Sequence, residues 1–161
     1  MADSEKKTEK KLYLLDAMAL IYRAHFALVR SPRFTTSGVC TSAVFGVANT
    51  VFEIISKYEP THLAVAFDTR EPTFRHEVFP EYKAQRDALP EDIALQFPWI
   101  DRLFEAMNIT MIRKPGFEAD DIIGTLSVEA EAAGFETFMV TPDKDYTQLV
   151  SEHVTMFKPG R

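Results

Sequence analysis

Three apolar runs in this chain stop at an aspartate. Leu12 to Leu15 ends at Asp16, Leu63 to Phe67 at Asp68, and Phe138 to Pro142 at Asp143, with Asp145 two positions further on. Apolar runs without alternation read as strands buried on both faces, which is what a parallel sheet covered by helices on each side requires. Acids that close such strands stand on the sheet edge where parallel α/β folds bind their ligands. Glu118, Asp120 and Asp121 open a helical pattern and bring the number of carboxylates on that edge to seven. Acids so concentrated repel one another unless divalent cations lie between them.

The rest of the chain alternates between the two periods. Met18, Ile21, Tyr22, His25 and Val29 fall at helical spacing, and residues 30–41 read as a loop. A second helix is expected over Ser42–Lys57, with Phe45, Ala48, Phe52 and Ile55 as its apolar face. After the strand His62–Phe67, residues 69–89 carry little regular pattern and read as a long irregular, mobile excursion, a feature that in a small domain is usually functional. A helical region from Pro90 places Ile93, Phe97, Ile100, Phe104 and Met107 on one face, kinked or split at Pro98. Then follow a strand over Ile109–Ile112 and a helix over Glu118–Ala133 that buries Ala119, Ile122, Ile123, Leu126, Ala130 and Ala133. A strand Glu136–Thr141, a short helix Tyr146–Val150 and a strand Val154–Phe157 complete the pattern. Trp99 and the thirteen phenylalanines are assigned mostly to the core. This alternation predicts a three-layer α/β/α sandwich around a doubly wound, mostly parallel sheet of about five strands, with right-handed crossovers.

Composition narrows the classes. The chain has 161 residues, 46% of them hydrophobic, enough for one domain with a real core. No apolar run is long enough to span a membrane and there is no signal-peptide core. Residues 1–10 are rich in lysine and glutamate and read as a disordered lead-in to a domain over 11–161. The single cysteine, Cys40, excludes an internal disulfide, fits a reducing cytoplasm and has no nearby base to activate it. The net charge of −6 does not exclude a phosphate substrate, because the 24 acids less the seven at the edge leave 17 against 18 basic residues. There is no glycine-rich phosphate loop, no Ser-His-Asp arrangement and no zinc pattern. His25 reads as packed, and His62, His76 and His153 form no metal spacing.

Single acids of this kind have ordinary uses. An aspartate after a strand can be a turn former or helix cap, and Asp120 and Asp121 could simply complement a helix dipole. Four separate elements delivering acids to one edge argue for a shared purpose, and Lys144 is the main basic residue near them in sequence. The excursion carries Arg70, Arg75, Lys83 and Arg86 among Phe74, Phe79 and Tyr82. Cations for phosphate and rings for bases make a single-strand platform, although the interleaved acids also suit a solvated loop. Thr35-Thr36-Ser37-Gly38 could contact a phosphate or form a plain turn.

Several strings occur in order. They are Leu14-Leu15-Asp16-Ala17, Phe67-Asp68 followed by Pro72-Thr73-Phe74-Arg75-His76-Glu77, and Pro80-Glu81-Tyr82-Lys83-Ala84-Gln85-Arg86. Next come Pro115-Gly116-Phe117-Glu118-Ala119-Asp120-Asp121, then Thr141-Pro142-Asp143-Lys144-Asp145 with Gln148-Leu149 behind it. From about Lys11 onward the chain resembles the 5′-nuclease domains of bacterial DNA polymerase I, in the flap-endonuclease group with a PIN-like fold. The resemblance implies that Asp16, Asp68, Glu118, Asp120, Asp121, Asp143 and Asp145 ligate two Mg²⁺ or Mn²⁺ ions directly or through water. It implies that Arg23, Arg75, Lys83 and Arg86 face DNA, with Tyr82 beside them. Lys83 and Arg86 would act in catalysis, clamping the scissile phosphate from an arch over a single-stranded 5′ end. The expected reaction is metal-dependent hydrolysis of DNA phosphodiesters at 5′ ends or flaps, in replication and repair. The expected setting is a cytoplasmic monomer with the rest of a polymerase in cis. Such families continue into a Gly-Asp-x-Ser-Asp-Asn-type string and a helix-turn-helix, so the chain is expected to be a fragment truncated before them. Two rivals stand beside this reading: a non-catalytic nucleic-acid-binding fragment and a receiver-type signalling domain. The receiver expects adjacent acids at the first strand, where Asp16 is flanked by Leu15 and Ala17.

Overall fold

The structure, a computed structural model, describes residues 9–85 and 88–158. Of the expected lead-in only Glu9 and Lys10 are among them, and Arg86 lies outside the described residues. Five strands form the framework: β1 Lys11–Asp16, β2 His62–Phe67, β3 Thr110–Arg113, β4 Glu136–Val140 and β5 Val154–Phe157. They pair in the order β3-β2-β1-β4-β5, and every pair is parallel. The chain therefore builds outward from β1 to β3, then returns to start again on the other side of β1. The reversal lies between β1 and β4, where an open α/β sheet leaves its ligand crevice.

The helices are α1 Ala17–Ala27, α2 Ser42–Glu53, α3 Phe74–Val78, α4 Glu91–Ala94, α5 Phe97–Ala106 and α6 Ala119–Ala132. Alternation along β1 divides the core. Tyr13 and Leu15 face one side with Val65, Phe67 and Val140, packed against α1, α2, α4 and α5. Leu14 faces the other side with Ala64, Ala66 and Met139, packed against Ala119, Ile122 and Ile123 of α6. This is the expected three-layer sandwich. Among the described residues no helix is long and apolar enough to cross a membrane.

The α2 face differs from the sequence reading. Ala43, Val47 and Val51 are buried, as is Ile54 in the π-helical turn Ile54–Tyr58 that continues α2, whereas Phe45 and Phe52 are 44% and 58% exposed, and Ile55 is exposed too. Close packing chose the smaller residues. A Cβ on Gly46 would stand 2.5 Å from that of Ala24, so α2 meets α1 through small side chains and its phenylalanines turn outward. Buried Gln96 fastens this arrangement by accepting the Ala43 and Val44 N–H groups at 2.9 and 3.3 Å, at the start of α2. The phenylalanines as a class are also less buried than expected. Phe67 and Phe104 are fully buried, but Phe26, Phe34, Phe45, Phe52, Phe74, Phe79 and Phe117 are exposed, as is Trp99. Several carry a cation over the ring instead: Arg33 on Phe45, Arg75 on Phe74, Lys114 on Phe117 and Arg102 on Trp99.

Elsewhere the breaks fall where chemistry dictates. Pro98 sits in the first turn of α5, so the region after Pro90 splits in two. Within the expected excursion, residues 69–85 are less irregular than expected. They contain α3, entered through Thr73, whose N–H donates to His76 Nδ1 at 3.0 Å, and Phe74 N–H reaches Gly116 O at 3.3 Å. Thr35–Gly38 is a self-contained turn: Thr35 and Ser37 hydroxyls bond each other at 2.8 Å and Val39 N–H donates to Thr35 Oγ1. The Thr35 and Ser37 hydroxyls are thus used internally. His25 is buried beside Asp92, and Cys40 is half-buried near Gln96 and Ser42, both packing roles.

Candidate active site

Each acid reaches the carboxyl edge by a different local device. Asp16 closes β1 and caps α1. Its Oδ1 accepts the Ala19 N–H at 3.0 Å, and only 6% of the residue is exposed. Its Oδ2 accepts from Thr141 Oγ1 at 3.2 Å and the Tyr146 hydroxyl at 3.3 Å. Asp68, just past β2, accepts the Ala119 N–H at 2.7 Å, so an acid from one strand sits at the positive end of α6. Asp120 in the first turn of α6 takes the Tyr146 hydroxyl on Oδ1 at 2.7 Å. Asp143 caps the short 3₁₀ helix Lys144–Leu149 by accepting the Asp145 N–H at 3.0 Å, and both of these acids are exposed.

The other two acids are matched by cations. Asp121 receives both arms of the Arg75 guanidinium at 2.8 Å, and its Oδ2 also accepts the Glu118 N–H at 3.0 Å. Buried Glu118 takes Lys83 Nζ at 2.7 Å and the Tyr82 hydroxyl at 3.2 Å, with Arg75 3.7 Å away. Lys83 has a left-handed backbone, φ +58°, which for a non-glycine residue costs roughly 1 kcal/mol and clusters at functional positions. The sequence offered Lys144 as the main basic neighbour of these acids. The fold supplies Arg75 and Lys83 instead, from 46 and 35 residues away, because α3 and the turn after it lie against the start of α6.

A cleft of about 620 Å³ opens between these elements, with Asp16, Asp68, Asp120 and Asp143 on its wall beside Arg23 and Lys83. A neighbouring recess of about 400 Å³ holds Arg75, Tyr82, Glu118, Asp121 and Asp145. All seven acids therefore stand at one edge, in two adjoining groups that share Asp120. Their charges interact. Burial, then the charges of Asp120 and Asp68, push the Asp16 carboxyl up to about 6. Asp120 is raised as well, by burial first and then by Asp68 and Glu118, against the lowering pull of the Tyr146 hydrogen bond and Lys83. Asp121 moves the other way, held below the usual carboxylate range chiefly by its Arg75 hydrogen bonds.

An all-carboxylate donor set suits a hard divalent cation such as Mg²⁺ or Mn²⁺. Asp16, Asp68, Asp120 and Asp143 fit that chemistry by facing one cleft. As the side chains stand, no three carboxylates among the described residues converge closely enough to hold an ion, so those on the rim would have to turn. Two contributors escaped the sequence reading, Thr141 and Tyr146. The signal for Tyr146 was a hydroxyl directly after Asp145 in an otherwise apolar position of a short helix. Arg23 lies in the cleft wall, while the expected role of Arg86 falls outside the described residues.

The DNA polymerase I of Mycobacterium tuberculosis is 40% identical over 160 residues, covering 99% of this chain and 18% of that protein. The 5′-3′ exonuclease of Aquifex aeolicus is 37% identical over 150 residues, covering 93% of this chain and 51% of that one. The fold is shared with the flap endonuclease of bacteriophage T5, solved as a pseudo-enzyme-product complex with DNA and metal ions. That match has a TM-score of 0.66 at 19% identity and covers 92% of this chain and 55% of the other. The chain thus spans less than a fifth of the polymerase and about half of each nuclease. Residues 11–161 match the family described as "5′-3′ exonuclease, N-terminal resolvase-like domain", which leaves no place for a receiver domain. With its acids on the carboxyl edge of an all-parallel sheet and this match over nearly its whole length, the chain belongs to that family.

Proposed function

We propose that this chain is the 5′-3′ exonuclease and flap-endonuclease module of a DNA polymerase I, hydrolysing DNA phosphodiesters at 5′ ends during replication and repair. One observation carries the reading: Asp16, Asp68, Asp120 and Asp143 share a cleft with Arg23 and Lys83. Acids alone would repel DNA, and cations alone would bind it without chemistry. Together they suit a phosphate held between protein cations and bound metal.

Two Mg²⁺ or Mn²⁺ ions are proposed, held by Asp16, Asp68, Asp120 and Asp143 with Glu118 and Asp145 alongside. When bound, such ions acidify water and neutralise charge on a phosphate. The chain's own residues do the positioning. Lys83, one hydrogen bond from Glu118, can swing to the scissile phosphate and offset the charge that develops there. Arg23 would take an adjoining phosphate, and Tyr22 and Phe26 on the same wall offer ring faces to bases. Tyr82 and Lys83 stand together over Glu118, and Arg86 would be a second arm of the clamp. Arg75 is occupied by Asp121, and its proposed role is to fasten the excursion to α6 rather than to meet substrate. The T5 flap endonuclease, solved with DNA and metal ions, supports both partners. A monomer acting in the cytoplasm is proposed on the sequence grounds given above.

The test is cleavage of a labelled 5′-flap oligonucleotide by the full-length protein with Mg²⁺ or Mn²⁺, and with EDTA as control. Metal-dependent release of 5′-phosphorylated mono- or oligonucleotides is expected. Flap binding without turnover in either metal would reduce the chain to a nucleic-acid-binding module.

A further inference from the structure

Tyr146 is 1% exposed, its ring in the core on the α6 side with Ala119, Ile122, Ile123 and Met139. Its hydroxyl points away from that core toward the acids, 2.7 Å from Asp120 Oδ1 and 3.3 Å from Asp16 Oδ2. A phenol has one proton, so the shorter contact takes most of it and the longer one is the weak arm of a forked bond. Thr141 reaches the same Asp16 oxygen at 3.2 Å. The two carboxylates come from different elements, the end of β1 and the first turn of α6, and Tyr146 reaches both. Phenylalanine would fill the same core space, so packing alone does not account for the hydroxyl. Its presence is explained by the partners it finds.

We infer that Tyr146 is a positioning residue for the metal-binding acids. It holds Asp120 by Oδ1, and Oδ2 is the oxygen that this contact leaves for a cation. Together with Thr141 it holds Asp16 by Oδ2, while the Ala19 N–H holds Oδ1. Both acids are thereby held to one hydroxyl oxygen, which the buried ring keeps in place. Outer partners of this kind orient the groups that meet the metal, and losing one typically weakens metal binding by about 10- to 100-fold. The inference rests on the cleft being a metal site, as proposed above.

The experiment is a calorimetric Mn²⁺ titration of the 161-residue protein as wild type, Tyr146→Phe, Asp120→Ala and the double variant. Tyr146→Phe keeps the ring in place, and its melting curve checks that the fold survives. The expected result is Mn²⁺ binding about tenfold or more weaker in Tyr146→Phe. In the Asp120→Ala background the same substitution should cost only about twofold, because the two side chains act as a unit. In the full-length protein, flap cleavage by Tyr146→Phe should recover at saturating Mn²⁺, since the defect is one of metal affinity. Unchanged affinity in Tyr146→Phe overturns the inference alone. An equal loss with and without Asp120 also overturns it, by reducing Tyr146 to packing. A wild type that binds no Mn²⁺ at millimolar concentration overturns the metal site and this inference together.

Discussion

The acids on the two sides of α6's first turn meet the same electrostatic problem with different partners. Asp16 and Asp120 are held by neutral donors, the Ala19 N–H, Thr141 and Tyr146 hydroxyls, and among the described residues neither has a cation within ion-pair distance. Both carboxyls are pushed up. Glu118 and Asp121, on either side of Asp120 in the chain, are met by Lys83 and Arg75, and Asp121 is pulled down. Neutral donors fix geometry and leave charge uncancelled, whereas guanidinium and ammonium groups cancel it. A carboxylate of the first kind is ready for a divalent cation. One of the second kind already has its counter-charge, and Asp121, held by both arms of Arg75, works as a fastener.

The largest expected effect separates these two kinds directly. Asp120→Asn should cut single-turnover flap cleavage by more than about 100-fold, since losing a ligand should exceed the loss of an outer partner. It should not cost stability, because it removes repulsion with Asp68 and Asp16. Asp121→Asn should do the reverse, loosening the Arg75 fastener while leaving most of the rate. Equal rate losses for the two variants would erase the distinction.

Divalent cations sharpen it further. Because Mg²⁺ or Mn²⁺ would bind only the folded arrangement, Mn²⁺ at about 100 times its dissociation constant should add about 2.7 kcal/mol of stability. In a chain of this size that is a rise in melting temperature of very roughly 5–10 °C, reversed by EDTA. Asp120→Asn should lose the shift and Asp121→Asn should retain it. Superimposed wild-type melting curves with and without millimolar Mn²⁺ would remove the metal site.

The sequence made the fold legible because each strand carries its own signal. Leu12 to Asp16, His62 to Phe67 and Glu136 to Val140 are runs whose burial needs no knowledge of neighbours, and the acids at or just past their ends fall on one edge automatically once the sheet is parallel. The α2 face was not legible, since Phe45 and Val47 are both apolar and only the approach of Ala24 to Gly46 decides which turns inward. The partnering of the acids was hidden for a related reason. Arg75 and Tyr146 lie 46 and 26 residues from the carboxylates they serve in α6, and composition records their charge or hydroxyl but not its target. Spacing located the acids; only the packed fold divides them.

The pH dependence of stability should differ between the halves. Asp16 in the fold titrates near 6, above its unfolded value, so between about pH 4 and 6 the folded state keeps a proton that the unfolded state has released. Its contribution is therefore full below the unfolded value and lost as pH rises toward 6. Asp121 runs oppositely, contributing above the ordinary carboxylate range and losing that contribution as pH falls through its lowered value. With divalent cations chelated, Asp16→Asn should raise stability at pH 7 by about 2 kcal/mol and flatten the fall between pH 4 and 6. Calorimetric melting across that range checks it. An unchanged slope in the variant would mean that Asp16 is not the group responsible.

The smallest effect tests whether Arg75 is a fastener or a substrate contact, the role its motif suggested. Its guanidinium is bidentate on Asp121 and lies 4.6 Å from the centre of the Phe74 ring, with 30% of its side chain exposed. Partial exposure lets solvent screen the pair, so Arg75→Ala should cost only about 1 kcal/mol, a drop of about 2–4 °C. As a fastener, Arg75 should affect saturated cleavage only through the looser seating of α3, a change of a few-fold. Lys83→Ala should behave differently. Glu118 keeps the Tyr82 hydroxyl and nearby Arg75, so stability should fall by less than for Arg75→Ala. The saturated single-turnover rate should fall much further, because a cation on the scissile phosphate matters most in the transition state. Measuring both variants at two salt concentrations separates the roles. Loss of a phosphate contact flattens the salt dependence of binding, and loss of an internal ion pair does not. If Arg75→Ala flattened the slope and slowed the saturated rate as much as Lys83→Ala, Arg75 would have to leave Asp121 to reach DNA, and the two kinds of acid would be one.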